Sequence, residues 1–192
     1  AVTIKSDNFK KFKNAEESSF CIGTSGRITY QKDPSYFDKI VKNFSSKHNV
    51  TFKWIGDYAY NYTENRLDNK IVVTGWKSHQ DVINEVSKLD IFIMTSLWEG
   101  MPLSLIEAQK IGIPCVVRNT VGNRDVVTNG ETGFICSDIE SFILKLQKLY
   151  LDENLRSKMS KKAKKIANKR FDVNRLNADL TNIYENNLNT NN

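Results

Sequence analysis

The chain has 192 residues, a formal net charge of +6 and a pI near 9.1. A composition of 40% hydrophobic and 26% charged residues supports a packed core and excludes wholesale disorder, and 9 Gly with 3 Pro exclude a fibrous or linker protein. The surplus positive charge raises nucleic acid or an anionic membrane surface as partners.

Residues 5–18 are polar and aperiodic, and a linker stub is expected over 1–18, ahead of one domain over 19–192. Ser19 to Gly23 reads as a short buried strand. Asp33 can cap a helix that Pro34 opens, and Phe37, Ile40, Val41 and Phe44 fall at helical spacing behind it. Val50 to Ile55 is a second strand, 57–69 a polar loop, and Ile71 to Thr74 a third strand ending at Gly75. A helix is expected from Ser78 to Leu89 with Val82, Ile83 and Val86 inward, then a strand from Asp90 to Thr95. Pro102 starts a helix that Gly112 ends. Ile113 to Val117 and Gly133 to Cys136 are two more strands. Beyond residue 137 the pattern is helical only, over 138–150, 153–169 and 173–187, and the last five residues are expected to fray.

No apolar run approaches a bilayer span, and the N-terminal residues carry no stretch of signal-peptide length. Cys21, Cys115 and Cys136 lack zinc or redox spacing and are expected to be reduced, buried strand residues of a cytoplasmic protein. The alternation of strands and helices predicts an α/β fold, a Rossmann-like doubly wound parallel sheet of about six strands with a C-terminal helical tail. In such a sheet ligands bind outside the C-terminal ends of the strands. Topology alone therefore assigns the ligand edge to the loops Thr24–Asp33, Gly56–Asn61, Gly75–His79, Ser96–Met101 and Arg118–Thr132.

The segment Ser96-Leu97-Trp98-Glu99-Gly100-Met101-Pro102-Leu103-Ser104-Leu105-Ile106-Glu107 lies on that edge. Glu99 falls in the loop, and Glu107 about 7 Å along the helix that follows. The free N–H groups of Leu103 and Ser104 make the helix start an anion site. A phosphate there, with a carboxylate one to two turns on accepting hydrogen bonds from hydroxyls, would form a cradle for a ribose diphosphate. Gly100 lets a ligand approach the backbone. From spacing alone the alternative stays open that Glu107 is a solvated helix-face residue. On the same edge Arg27 and Lys32 suit a diphosphate, against the ordinary fate of surface cations. His48 and His79 read as surface or helix-start residues, and Trp76 and Trp98 as core or cleft wall.

Together these elements resemble the retaining glycosyltransferases of family 4, and specifically the C-terminal, nucleotide-sugar-binding half of their GT-B fold. "GRITYQK" resembles the family's Gly-Arg with Lys five residues after the Arg. "SLWEGMPLSLIEAQKIGIPCVV" resembles its Glu-x(7)-Glu signature, and "VGNRDVVTNGETGFI" the Gly-rich loop and strand that follow. The resemblance implies that Arg27 and Lys32 hold the diphosphate of a UDP- or GDP-sugar and that Glu107 binds both ribose hydroxyls. It implies that Glu99, with the backbone of Gly100, Met101 and Pro102, contacts the donor sugar. The amides of Leu103 and Ser104 would bind phosphate, and the base would lie near Trp76. The family retains anomeric configuration and needs no metal at this step, and no Asp-x-Asp motif is present here. Two positions depart from the pattern: Asp33-Pro34 stands where many members have Gly after the Lys, and Asp125 stands where Glu is common.

The resemblance further implies that a saccharide or lipid-linked acceptor is chosen by an N-terminal domain outside this chain. On that reading the chain alone binds donor without turnover, and the whole enzyme serves bacterial surface-polysaccharide synthesis. The competing classes are a nonhydrolysing sugar-nucleotide epimerase, which has no need of the Glu-x(7)-Glu helix, and a dehydrogenase, whose fingerprint Gly23-Thr24-Ser25-Gly26 does not match. A third is a noncatalytic basic module binding nucleic acid or membrane. Eight basic and two acidic residues lie between Asp152 and Arg170, which accounts for the whole +6. With Leu155, Met159, Ala163, Ile166 and Ala167 on one stripe, this is an amphipathic helix with a basic face, solvated or peripheral to the inner face of a membrane. No nucleic-acid partner is expected.

Overall fold

The computed structural model describes residues 20–46, 48–60, 62 and 66–189, with side chains to residue 185. The expected linker stub and the terminal residues 190–192 lie outside the described residues.

Six short strands build one parallel sheet: β1 (Phe20–Ser25), β2 (Val50–Ile55), β3 (Ile71–Val73), β4 (Ile91–Met94), β5 (Cys115–Arg118) and β6 (Gly133–Cys136). Their order is β3-β2-β1-β4-β5-β6, so the strand order reverses between β1 and β4. A parallel sheet covered on both faces needs apolar runs rather than alternation, and every residue of β4 (Ile91, Phe92, Ile93, Met94) is accordingly buried. This is the expected doubly wound, Rossmann-like α/β fold with a helical tail.

The helices are α1 (Pro34–Ser45), α2 (His79–Ser87), α3 (Leu103–Ile111), α4 (Val121–Val126), α5 (Ile139–Leu151), α6 (Glu153–Arg170) and α7 (Val173–Asn189). One core layer joins Phe37, Ile40, Val41 and Phe44 of α1 to Phe142, Leu146 and Leu149 of α5. The other joins Val86 of α2 to Leu105, Ile106 and Ala108 of α3. Gly112 ends α3 at φ 96°, and a Cβ there would lie 3.2 Å from Ser160 O, so α6 packs directly on the turn. The stripe of α6 is buried at Met159, Ala163 and Ala167, which leaves Lys158, Lys161, Lys164, Lys165, Lys169 and Arg170 exposed.

Two features differ from the sequence reading. Tyr30–Lys32 forms a single 3-10 turn, and α4 occupies the middle of a segment read as loop; at six residues, with Gly122 and Asn123 inside, it offers no apolar period. Of the two readings of Trp76, core or cleft wall, its 82% exposure removes the first. The three cysteines are free, buried and in strands, as expected, and burial pushes the thiols of Cys115 and Cys136 up, the latter to about 11 despite help from Ser141.

Candidate functional site

A cleft of about 520 Å³ opens at the C-terminal ends of the strands, where the strand order reverses. Four of the five loops assigned to that edge line it. Nine of the ten residues singled out do as well: Arg27, Lys32, Trp76, Glu99, Met101, Pro102, Leu103, Ser104 and Glu107. Gly100 is exposed and is not part of the wall. The fifth loop contributes no wall residue; Asp125 on α4 is exposed away from the cleft.

The first loop is held open by glycine and zipped to the fourth. Gly56, at φ 148°, sits against the backbone of Gly26 so closely that a Cβ would collide with its carbonyl, and Trp54 Nε1 donates to that carbonyl at 2.9 Å. Leu97 N donates to Gln31 O at 2.8 Å, Thr95 Oγ1 to Lys32 O at 2.7 Å, and Gln31 Nε2 to Trp98 O at 2.9 Å. These bonds bring Lys32 Nζ to 2.6 Å from Glu99 Oε1, with side chains 19% and 8% exposed. Lys32 is therefore not a freely solvated cation. Arg27 is exposed at the rim, without an ion pair among the described residues.

Asp33 has φ 48°, the left-handed region that favours glycine. Its carboxylate holds it there: Oδ1 accepts from Tyr36 N at 3.0 Å as the N-cap of α1, and Oδ2 pairs with Arg118 at 2.7 Å. The Arg118 guanidinium in turn lies 4.7 Å from the centre of the Tyr36 ring. Burial pushes the Tyr36 phenol up to about 12, against the pull of Arg118. The departure Asp33-Pro34 thus preserves the backbone shape a glycine would give and adds a cap and an ion pair.

Helix α3 starts after Pro102 with no side-chain cap, which leaves its first N–H groups directed toward the cleft end of the helix. Glu107 is 7% exposed. It is neither solvated nor on the outer face of α3, so the alternative left open by spacing is removed. His79, the first residue of α2, stands with Nε2 2.8 Å from Glu107 Oε1. That partner went unread in the sequence, although the topology had already put His79 at the ligand edge. Among the described residues no group of three or more His, Cys, Asp or Glu could hold a metal ion, and no helix is long and apolar enough to cross a membrane.

Known proteins share the sequence pattern and the fold. The family model described as glycosyl transferases group 1 matches residues 5–166. The chain is 35% identical over 177 residues to the UDP-Gal:alpha-D-GlcNAc-diphosphoundecaprenol alpha-1,3-galactosyltransferase of Escherichia coli, covering 85% of this chain and 45% of that protein. It is 29% identical to the capsular polysaccharide biosynthesis glycosyltransferase CapM of Staphylococcus aureus, covering 91% and 48%. The chain spans about half the length of these curated relatives. The crystal structure of Anabaena Alr3699/HepE in complex with UDP shares the fold at a TM-score of 0.81 and 19% identity, covering 88% of this chain and 50% of that one.

Proposed function

The chain belongs to the glycosyl transferases group 1 family, and from that premise we propose that it is the donor-binding domain of a retaining, family 4 enzyme. It transfers a sugar from a UDP- or GDP-sugar to a saccharide or lipid-linked acceptor in bacterial surface-polysaccharide synthesis. The observation that carries this reading is the gathering of Arg27, Lys32, Glu99, Glu107 and the uncapped start of α3 around one cleft at the strand-order reversal. The relatives' names supply the chemical setting: a nucleotide-sugar donor and capsule or lipid-linked acceptors.

Transfer breaks the bond between the anomeric carbon and the β-phosphate oxygen, and the electron pair stays on the departing phosphate. Arg27, Lys32 and the α3 N-terminus offset that charge as fixed electrostatic groups, so the step needs no metal. The acceptor oxygen bonds to the same face of the anomeric carbon, and its proton passes to the departing phosphate oxygen. Glu99 positions the sugar and stabilises the positive charge that develops on it; Glu107 receives the ribose hydroxyls; Met101, Pro102 and the amides of Leu103 and Ser104 shape the phosphate and sugar ends. Trp76, exposed on the wall, offers a face to the base. Acceptor binding requires residues beyond these 192, so the isolated chain binds donor and does not turn over.

Titration calorimetry with UDP, GDP and their sugar conjugates tests the reading. Binding of one nucleoside diphosphate in the micromolar to millimolar range, with no sugar transfer, is expected. Absence of binding to both, or robust transfer by the isolated chain, contradicts it. Co-sedimentation with anionic vesicles tests whether the basic face of α6 also meets the membrane.

A further inference from the structure

Glu107 is the one carboxylate buried in the cleft wall on α3, and its environment is asymmetric. Oε1 meets His79 Nε2 at 2.8 Å, while Oε2 has no hydrogen-bond partner among the described residues. A carboxylate oxygen only accepts, so the imidazole N–H is the donor. No Lys or Arg pairs with Glu107 among the described residues. Glu107 lines the cleft, and the imidazole that meets it sits at the start of α2 with a side chain 64% exposed. The start of α2 does not depend on this contact: Ser78 is its N-cap and accepts from Asp81 N at 3.3 Å.

A glutamate side chain has three rotatable bonds, and an unrestrained carboxylate must be ordered each time a ligand binds. A single N–H donor at Oε1 fixes that carboxylate and fills one of its acceptor sites. A lysine in the same place would bring three donors and a full charge to compete with a bound diol. We propose that His79 is a positioning residue for Glu107, holding its carboxylate for a cis-diol and thereby setting selectivity for ribose over deoxyribose nucleotides. The proposal rests on the reading of this cleft as a nucleoside-diphosphate site.

The test uses the 192-residue chain and calorimetry with whichever of UDP and GDP binds tighter, beside its 2′-deoxy analogue. Wild type is expected to prefer the ribose form by about tenfold or more, the loss of a hydrogen bond to a charged acceptor. In His79→Ala that preference falls below about threefold, chiefly through weaker binding of the ribose form, while the variant stays folded because the side chain removed is 64% exposed. His79→Gln, whose amide N–H reaches to a similar distance, restores the preference. Undiminished preference in His79→Ala overturns the proposal while leaving the site intact, and so does equal loss in the Ala and Gln variants. Wild type that binds neither nucleotide, or binds both sugar forms alike, overturns the diol assignment of Glu107 and this proposal with it.

Discussion

Lys32 Nζ lies 2.6 Å from Glu99 Oε1, joining the loop after β1 to the loop after β4 across the mouth of the cleft. If Lys32 is to meet a diphosphate, this pair must be exchanged when ligand arrives. Glu99→Gln is therefore expected to bind a free nucleoside diphosphate as tightly as wild type or tighter, and the sugar conjugate more weakly. Lys32→Ala is expected to lose about tenfold or more for both, since it removes a charge-assisted contact. Calorimetry on the two variants with both ligands decides; weaker binding of the free diphosphate in Glu99→Gln would separate Glu99 from Lys32.

On the proposed reading Arg27 and Lys32 serve the same charge from different surroundings, and salt distinguishes them. Arg27 is exposed at the rim and Lys32 mostly buried. Exposed charges are screened over a Debye length of about 8 Å at 0.15 M salt, buried ones much less. Raising salt from 0.05 to 0.5 M is expected to erase most of the difference between Arg27→Ala and wild type while leaving the defect of Lys32→Ala. Affinities measured across that range check it, and parallel salt curves for the two variants would count against the assignment.

How far the sequence carried is visible at individual residues. Strands announced themselves as apolar runs because a covered parallel sheet buries both faces, and handed crossovers put the loops after the strands on one edge, so the ligand edge was legible before any motif was read. Glu99 and Glu107 stood out because only seven residues separate them along one chain segment. His79 and Glu107 are 28 residues apart, and Arg118 and Asp33 are 85 apart. Such pairings depend on how α2 is placed against α3 and β5 against the first loop, which no local pattern encodes. The same holds for the burial of Glu107: its helix is buried over Leu105–Lys110, and a face that looks amphipathic on paper has no solvent side there.

Asp33 gives the clearest stability test near the site. It occupies a left-handed backbone position while capping α1 and pairing with Arg118. Asp33→Gly relieves the backbone and loses the cap and the pair; Asp33→Ala loses the cap and the pair and keeps the strain. Loss of a cap costs about 1 kcal/mol and a left-handed non-glycine residue about 1–2 kcal/mol. The expected order of urea midpoints is wild type, then Asp33→Gly, then Asp33→Ala. A glycine variant less stable than the alanine variant would show that neither backbone strain nor its relief matters there.

Acid stability should report on the anchoring of α2. Burial raises the Glu85 carboxyl, but hydrogen bonds and charge from Lys53 and Lys88, both at 2.9 Å, outweigh it and hold the group below its ordinary value of 4.5. A group lowered by folding stabilises the fold above its ordinary pKa, and that contribution is lost as pH falls below 4.5 toward the folded value. Asp38 acts oppositely, since burial raises it and acid relieves its cost. The difference between wild type and Glu85→Gln isolates the first effect. It is expected to be about 1 kcal/mol at pH 7 and to shrink steadily below pH 4.5. Denaturant midpoints of both proteins from pH 7 to pH 3 check this, and a constant gap would mean the pair contributes nothing as an ion pair.

Gly122 supports the loop that carries Glu99 without lining the cleft. It is the second residue of α4, and a Cβ there would lie 2.6 Å from Gly100 O and 2.7 Å from Glu99 O, separations that packed atoms do not tolerate. Gly122→Ala must therefore move the backbone that carries Glu99. The helix itself gains from alanine by about 1 kcal/mol, which offsets much of the steric cost, so the melting temperature should change little. The Glu99 carboxylate, displaced toward the cleft, should then clash with or miss the donor sugar. Affinity for the sugar conjugate is expected to fall about tenfold while affinity for the free nucleoside diphosphate stays near wild type. Equal affinities for both ligands in the two proteins would mean that the loop relaxes elsewhere and that α4 does not set the position of Glu99.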